Sequence, residues 1–383
     1  MNNKVSHRDA RPLRVMHVLL TMGVGGAEKL VYDMIRRLDP ATVSSSVCCL
    51  QDVGPLGDSL REQGVPVFLH ERRQGVDWSM VGWLRQLMAA ERIDVIHAHQ
   101  YTPMFYATLA AAGLSGVRVV YTEHGRLYPE QWNWKRYLFN PLLSLGLDHI
   151  VSIAESTARA MARYDNFPAR KIKVVHNGVD IDACRTTVDP AAKRRSLGLD
   201  AKCRIIGTAA RLEEIKNIPM MLRVFKRVLA ARPDTVLLIA GRGTQEENLK
   251  ALAAEMGMAD QVRFLGLRFD MTEIYPLFEV FLLTSFTEGI SVTLLEAMAN
   301  GVPAVVTGVG GNGEVVDHGA TGYLVPLDDD EAMEEEILRI LEDGRHAETL
   351  GANARQRVRE HFSFEGMLDS YLDFYRGKES VLQ

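Results

Sequence analysis

The sequence predicts an α/β protein of two domains, each built on a parallel, doubly wound sheet. At 383 residues the chain is longer than one hydrophobic core ordinarily serves. Short β-rich apolar runs alternate with stretches of helical period, the pattern of parallel strands joined by helical crossovers. The alternation stops in a mostly polar stretch at 183–200 and then restarts, as expected at a domain junction. The expected organisation is a flexible tail at 1–12, a first domain at 13–182, a linker at 183–200, a second domain at 201–360 and a C-terminal helix and tail at 361–383.

Composition narrows the function classes. Hydrophobic residues make up 47% and charged residues 24%, as in soluble globular proteins. A net charge of -5 gives no reason to expect a nucleic-acid partner. Residues 1–182 hold 21 Lys+Arg against 18 Asp+Glu, and the remainder 23 against 31, so the first half is the better match for an anionic surface. Cys48, Cys49, Cys184 and Cys203 show neither a zinc spacing nor a disulfide framework. The polar first residues do not read as a secretory leader, and no run reaches the ~18 apolar residues that span a bilayer. A cytoplasmic protein, in contact with the inner face of a membrane at most peripherally, is the expectation.

The first strand is expected at 14–20 and ends in Thr21-Met22-Gly23-Val24-Gly25-Gly26. Behind it Leu30, Val31, Met34, Ile35 and Leu38 recur at helical spacing until Pro40. The glycines suit close approach to a phosphate or sugar, and equally a tight strand-to-helix turn. A dinucleotide fingerprint fits less well, since Ala27 and Glu28 stand where a third glycine is needed. Further strands are expected at 43–50, 65–69, 93–97, 117–122, 149–153 and 172–175. Ligands of such sheets gather beyond the carboxyl ends of strands. His97-Ala98-His99-Gln100 and Thr122-Glu123-His124-Gly125 lie there. A lone histidine is usually structural, but two on one sheet edge point His124 at a ligand and make His99 a candidate contact for an acceptor. Residues 126–139 then gather Tyr128, Trp132, Trp134, Tyr137 and Phe139 with Lys135 and Arg136. This suits an acceptor sugar or a lipid headgroup surface, or a lid packed on its own domain.

In the second domain strands are expected at 204–209, 235–240, 261–265, 280–283 and 302–306. Arg211 and Lys216 follow the first of these and could neutralise a diphosphate, Arg as a planar fork and Lys as a point charge, or form a solvated loop pair. Arg242 and Gly243 are similarly placed. The acids at 328–330 suit a helix start better than a metal. The stretch 284–307, TSFTEGISVTLLEAMANGVPAVVT, puts Glu288 and Glu296 on either side of a helix N-terminus, a seat for phosphate with carboxylates to hold hydroxyls. The competing reading is a capping box, with Thr293 as cap and Glu296 reaching back to it. Last, Phe364, Met367, Leu368, Tyr371, Leu372 and Tyr375 share one helical face and need a partner surface, which the first domain can provide.

Together these residues resemble the retaining glycosyltransferases of family 4, over roughly residues 13–375. The motifs are the E-x7-E pair Glu288 and Glu296, the GVGGAE loop, TEHG at 122–125, HNGVD at 176–180 and the Arg211-x4-Lys216 pair. The resemblance implies the GT-B fold: two facing Rossmann-like domains with a C-terminal helix crossing back to the first. It implies that Arg211, Lys216 and the backbone at Val292 and Thr293 hold a donor diphosphate, and that Glu296 binds the ribose. Glu288 with the amides of Gly289, Ile290 and Ser291 would hold the sugar, Gly25 and Gly26 would close over it, and His124 would sit beside the attacking hydroxyl. His99, Trp132 and Trp134 are the candidate acceptor contacts. Many relatives carry glycine at Ser291 and an aromatic at Ile290, so those two side chains are expected to narrow the sugar pocket and bear on the choice of sugar.

The implied reaction moves a sugar from a UDP- or GDP-sugar to a hydroxyl of a glycan or lipid-linked acceptor with retention of configuration, in bacterial surface polysaccharide, exopolysaccharide or lipopolysaccharide biosynthesis. It requires no metal or other cofactor. The alternatives are a nucleotide-sugar epimerase of the same fold, which would convert donor without acceptor, and a non-catalytic sugar-nucleotide-binding subunit.

Overall fold

The computed structural model describes residues 11–125, 131–184 and 187–378. The first sheet has seven strands: β1 (Leu13–Thr21), β2 (Val43–Asp52), β3 (Val67–Leu69), β4 (Val95–His99), β5 (Arg118–Glu123), β6 (His149–Ser152) and β7 (Ile172–Val174). Their order is β3-β2-β1-β4-β5-β6-β7 and every pairing is parallel. The second sheet has six: β8 (Arg204–Ala209), β9 (Thr235–Ala240), β10 (Val262–Gly266), β11 (Val280–Leu283), β12 (Ala304–Thr307) and β13 (Gly322–Val325), ordered β10-β9-β8-β11-β12-β13, again all parallel. Helices cover both faces of each sheet, so the central strands are buried on both sides and read as continuous apolar runs.

Strand β13 escapes the sequence reading. It is four residues long, and it begins at Gly322, where φ is +156° and a Cβ would lie 2.4 Å from the Ala304 carbonyl oxygen. Only pairing with β12 makes it a strand.

In both sheets the winding direction reverses between neighbouring strands, at β1/β4 and at β8/β11. Crevices form at such switch points, outside the carboxyl ends of the strands. The glycine loop and His99 end β1 and β4, and the Arg211 and Glu288 loops follow β8 and β11, so these residues lie at the switch points, while His124 follows the neighbouring β5.

The chain passes between domains twice. On the outward crossing, the helix Pro190–Ser196, capped by Asp189, is fastened to the second domain by Lys193, which pairs with Asp270 and reaches Glu273 at 2.6 Å. On the return, Ser363 caps the helix Phe364–Tyr375, which buries Phe364, Met367, Tyr371, Phe374 and Tyr375 against Val15, Val95, Val120 and Val151 of the first sheet. The C-terminal helix thus completes the first domain's core. Phe374 joins the anticipated face, while Leu368 and Leu372 pack at its margin. The crossings touch: Val179 N–H donates to Phe362 O at 2.9 Å, and Phe364 N–H to Val179 O at 3.2 Å.

Candidate active site

The loop after β8 closes in a 3-10 turn, Glu214–Lys216, followed by Asn217 in the left-handed region. The end of β11 holds it in place. The Thr284 hydroxyl donates to the carbonyls of Lys216 and Asn217 at 3.1 and 2.9 Å, and Phe286 N–H to Ile215 O at 2.9 Å. This stitching puts Lys216 Nζ 2.6 Å from Glu288 Oε1, the oxygen that also accepts from the Ser285 hydroxyl at 2.5 Å. Two residues read separately from the sequence, one for phosphate and one for sugar, form one ion pair.

The helix Val292–Ala299 starts beside them. Its cap is Ser291, whose hydroxyl accepts from Leu294 N–H at 3.4 Å. The capping-box reading of Thr293 and Glu296 therefore fails: Glu296 lies two residues beyond the position such a box needs. Instead Glu296 Oε2 accepts from the Tyr275 hydroxyl at 2.8 Å. Burial raises the Glu296 pKa, opposed by the Tyr275 hydrogen bond and by the charge of Lys29 from the first domain. Glu296 and Val292 wall a cavity of about 360 Å³ whose opposite side is Lys29 and Asp33.

The same geometry corrects the expectation for Ile290 and Ser291. Ile290 is buried in the second domain's core cluster, and Ser291 spends its hydroxyl on the cap. Both side chains are buried, 4% and 8% exposed, and the Ser291 hydroxyl is turned to the cap and to Thr293 Oγ1 at 3.2 Å, so neither stands out into the cleft as expected.

The domains meet here. A Cβ on Gly125 would lie 3.6 Å from Gly289 Cα, and one on Gly289 would lie 2.8 Å from Ile153 Cδ1 and 3.1 Å from His124 O. Gly289 is thus pinned between two first-domain residues. Gly311 supports it from below, its N–H donating to Glu288 O at 3.1 Å. On the other wall Gly25, in extended conformation, is the N-cap of the helix Gly26–Arg37, with the Glu28 carboxylate folded over it. Burial raises the Glu28 pKa, and the charge of Arg211 across the cleft opposes it. Arg211 itself is exposed and forms no ion pair among the described residues.

His124 belongs to a buried group. His17 Nδ1 stands 3.1 Å from His99 Nε2, and His99 Nδ1 stands 2.9 Å from His124 Nε2. His97, its ring tilted against His99 with centroids 4.0 Å apart, turns away to the Tyr375 hydroxyl at 2.7 Å and to Thr122 Oγ1 at 2.8 Å. Burial lowers His17 to about 3 and His124 to about 4, and lowers His97 and His99 well below the ordinary value, so all four rings are neutral at pH 7. His17, His97 and His99 are close enough to share a metal ion. Both nitrogens of His97 and of His99 are already engaged, however, so ligation would strip those hydrogen bonds.

His99 is 1% exposed with both nitrogens taken. It therefore cannot contact an acceptor, contrary to expectation. Trp132 and Trp134 are exposed, 62% and 57%. Arg126 and Tyr128 lie outside the described residues.

Sequence reasoning missed Ser285, Tyr275 and Ile153, whose roles arise only from contact. It also missed Glu314, although one signal existed, a carboxylate in a glycine-rich loop after β12. Glu314 of the second domain accepts from the N–H groups of Glu155 and Ser156 at 2.8 and 2.9 Å and stands 3.1 Å from His176 Nε2. It caps the first-domain helix Glu155–Asp165, which has no side-chain cap of its own.

Two parallel-sheet domains with their carboxyl edges turned to one cleft, and a terminal helix returned to the first, define the GT-B class. Structures of that class share the fold. Anabaena HepE in complex with UDP and glucose matches with a TM-score of 0.84 at 21% identity, covering 95% of this chain and 99% of that one. WaaG, a glycosyltransferase involved in lipopolysaccharide biosynthesis, matches at 0.72 and 13% identity, covering 95% and 100%. In sequence, residues 24–183 match the family described as Glycosyltransferase Family 4, and residues 189–357 match Glycosyl transferases group 1. The two matches adjoin and take in most of both domains: the chain belongs to the family 4 glycosyltransferases. It is similar to the UDP-Gal:alpha-D-GlcNAc-diphosphoundecaprenol alpha-1,3-galactosyltransferase of Escherichia coli, 24% identical over 95% of this chain and 96% of that one. It is also similar to the lipopolysaccharide core biosynthesis mannosyltransferase LpsB of Rhizobium meliloti, 28% identical over 71% and 76%.

Proposed function

We propose that the protein transfers a sugar from a nucleoside-diphosphate sugar to a hydroxyl of a glycan or lipid-linked acceptor, with retention of configuration, in the assembly of a bacterial surface polysaccharide. The observation that carries this reading is the Lys216–Glu288 pair, set at a helix start and faced across the cleft by His124 and Gly125. Lys216, Arg211 and the N–H groups at Val292 and Thr293 take the diphosphate, whose charge grows as the anomeric bond breaks. Glu288 and the backbone of Gly289, Ile290 and Ser291 hold the sugar hydroxyls, Gly25 and Gly26 cover the sugar, and Glu296 takes the ribose. The acceptor oxygen bonds to the anomeric carbon on the face the diphosphate leaves, and a phosphate oxygen receives the hydroxyl proton. The protein's own charges do the stabilising, and no resident metal or other cofactor is invoked.

UDP is the first choice of nucleotide. The HepE structure is a UDP complex and the E. coli relative is named for UDP-Gal. GDP is the second. Thermal shift against UDP and GDP and their sugars, followed by transfer assays on hits, tests the assignment. Lys216→Ala and Glu288→Ala are each expected to lower turnover by about 10²-fold or more, the scale for losing a preorganised charge-stabilising group. Near-normal turnover in either folded variant would sink the assignment.

The acceptor is expected at a membrane face. Among the described residues no helix is long and apolar enough to cross a membrane. The helix Trp134–Leu143 and its flanks instead expose Trp132, Trp134, Leu138, Phe139, Leu142 and Leu145 beside Lys135 and Arg136. An apolar face edged with cations suits an anionic lipid surface. Co-sedimentation with vesicles containing phosphatidylglycerol should be lost in a Trp132→Ala/Trp134→Ala/Lys135→Ala/Arg136→Ala variant. Equal binding by both proteins would dispose of the idea.

A further inference from the structure

A neutral imidazole has one N–H and one lone pair, so a row of rings linked nitrogen to nitrogen has only two proton arrangements. In the row His17–His99–His124 the links are His17 Nδ1 to His99 Nε2 and His99 Nδ1 to His124 Nε2. The free ends, His17 Nε2 and His124 Nδ1, are buried and have no partner among the described residues. If protons point from His17 toward His124, His17 Nε2 keeps a bare lone pair and His124 Nδ1 carries an N–H. If they point the other way, His17 Nε2 carries an N–H and His124 Nδ1 a lone pair.

The two ends are not equivalent. His17 lies in the middle of β1, fully buried, its neighbours on the strand being Met16 and Val18. A buried N–H without an acceptor is rarer than an acceptor lacking one donor. Leaving the lone pair at His17 therefore favours the first arrangement. The backbone of the loop that carries His124 meets Gly289, and under the proposed function a sugar hydroxyl there supplies the acceptor that His124 Nδ1 lacks among the described residues.

We propose that His17 and His99 are positioning residues that hold His124 as its Nδ1–H tautomer, so that His124 serves the transfer as a hydrogen-bond donor and not as the acceptor of the hydroxyl's proton. This rests on the reading that His124 stands at the reacting sugar. It accounts for two histidines in neighbouring apolar strands: the β1 and β4 sites put a polar relay through the core with each internal nitrogen satisfied. His97, though its ring lies against His99, is not part of the relay, since both its nitrogens are held by Tyr375 and Thr122.

The test is long-range ¹⁵N–¹H NMR of the full chain labelled at histidine, with His124 assigned by its disappearance in His124→Gln. The expected wild-type spectrum shows His124 and His99 both protonated at Nδ1. In His99→Phe, which cuts the relay, His124 should shift to the Nε2–H tautomer or a mixture. Turnover should fall on the order of 10-fold or more, the scale for losing such an orienting partner, with KM for the donor little changed. His99→Gln, whose amide can both donate and accept, should restore the tautomer and most of the rate. A wild-type His124 protonated at Nε2, or a His124 tautomer indifferent to His99→Phe, overturns the proposal. The spectrum is read without turnover, so it stands apart from the Glu288→Ala and Lys216→Ala assays. A relay as drawn in a protein whose turnover survives those substitutions would remove the functional reading and leave the relay.

Discussion

At Gly289 a single hydrogen atom decides whether the domains can meet. An alanine Cβ would press on Ile153 Cδ1 at 2.8 Å and His124 O at 3.1 Å, both from the other domain. Gly289→Ala is expected to destabilise the protein by about 1–3 kcal/mol, as overpacking does, and to lower turnover by displacing His124. Ile153→Val removes the nearer atom, so the double variant should recover part of both losses in a double-mutant cycle of chemical unfolding and rate. Strict additivity would show that the two residues do not press on each other. At this scale the legible residues were those in motifs of fixed spacing at strand ends: Glu288, Lys216, His124. Tyr275 was not legible, because its contact with Glu296 is 21 residues distant and an apolar helix nearby looks the same with or without it. His99 misled for a related reason. A histidine at a strand end is equally placed to face a ligand or another histidine, and only the side-chain packing decides.

Among the elements, the helix Glu155–Asp165 is instructive because its cap comes from another domain, 158 residues away at Ser156. Burial pushes the Glu314 carboxyl up, but the His176 contact and the N–H groups of Ser156 and Glu155 outweigh it and hold it below its ordinary value. A carboxyl depressed in the folded state adds stability above its unfolded pKa and loses it as pH falls through the folded value. Glu314→Ala should therefore cost about 0.5–2 kcal/mol near pH 7, the range for a lost cap. The gap from wild type should begin to close below about pH 4.5 and vanish further into acid. Urea unfolding of both proteins at pH 7 and at pH 3 checks this, and a gap that does not narrow in acid would assign Glu314 a role other than its charge. Most strands were legible as elements, because buried parallel strands are continuous apolar runs. The missed strand β13 depends on pairing with β12, and the misplaced cap of Val292–Ala299 on a choice between Ser291 and Thr293, two residues apart.

Over the whole molecule, the first domain is closed by the last helix of the chain. Phe374 is fully buried against the first sheet, so Phe374→Ala should cost roughly 3–5 kcal/mol. The loss should appear as faster amide exchange in β1, β4 and β5, hundreds of residues earlier. Exchange confined to the helix itself would contradict this account of the core. The two-domain architecture was legible from the restart of strand periodicity, and the helix's need for a partner from its apolar face. That the helix places Tyr375 on His97 and Tyr371 on Thr122, beside the histidine relay, was not, since a tyrosine on an apolar face gives no sign of what its hydroxyl meets. The returned helix also has a consequence for synthesis. At about 5–20 residues per second, roughly 200 residues separate the last strand of the first sheet from the helix that covers it, a gap of about 10–40 seconds. Through that interval the emerging chain carries a bare apolar floor of valines, so the protein is born needing protection that the finished molecule gives no hint of.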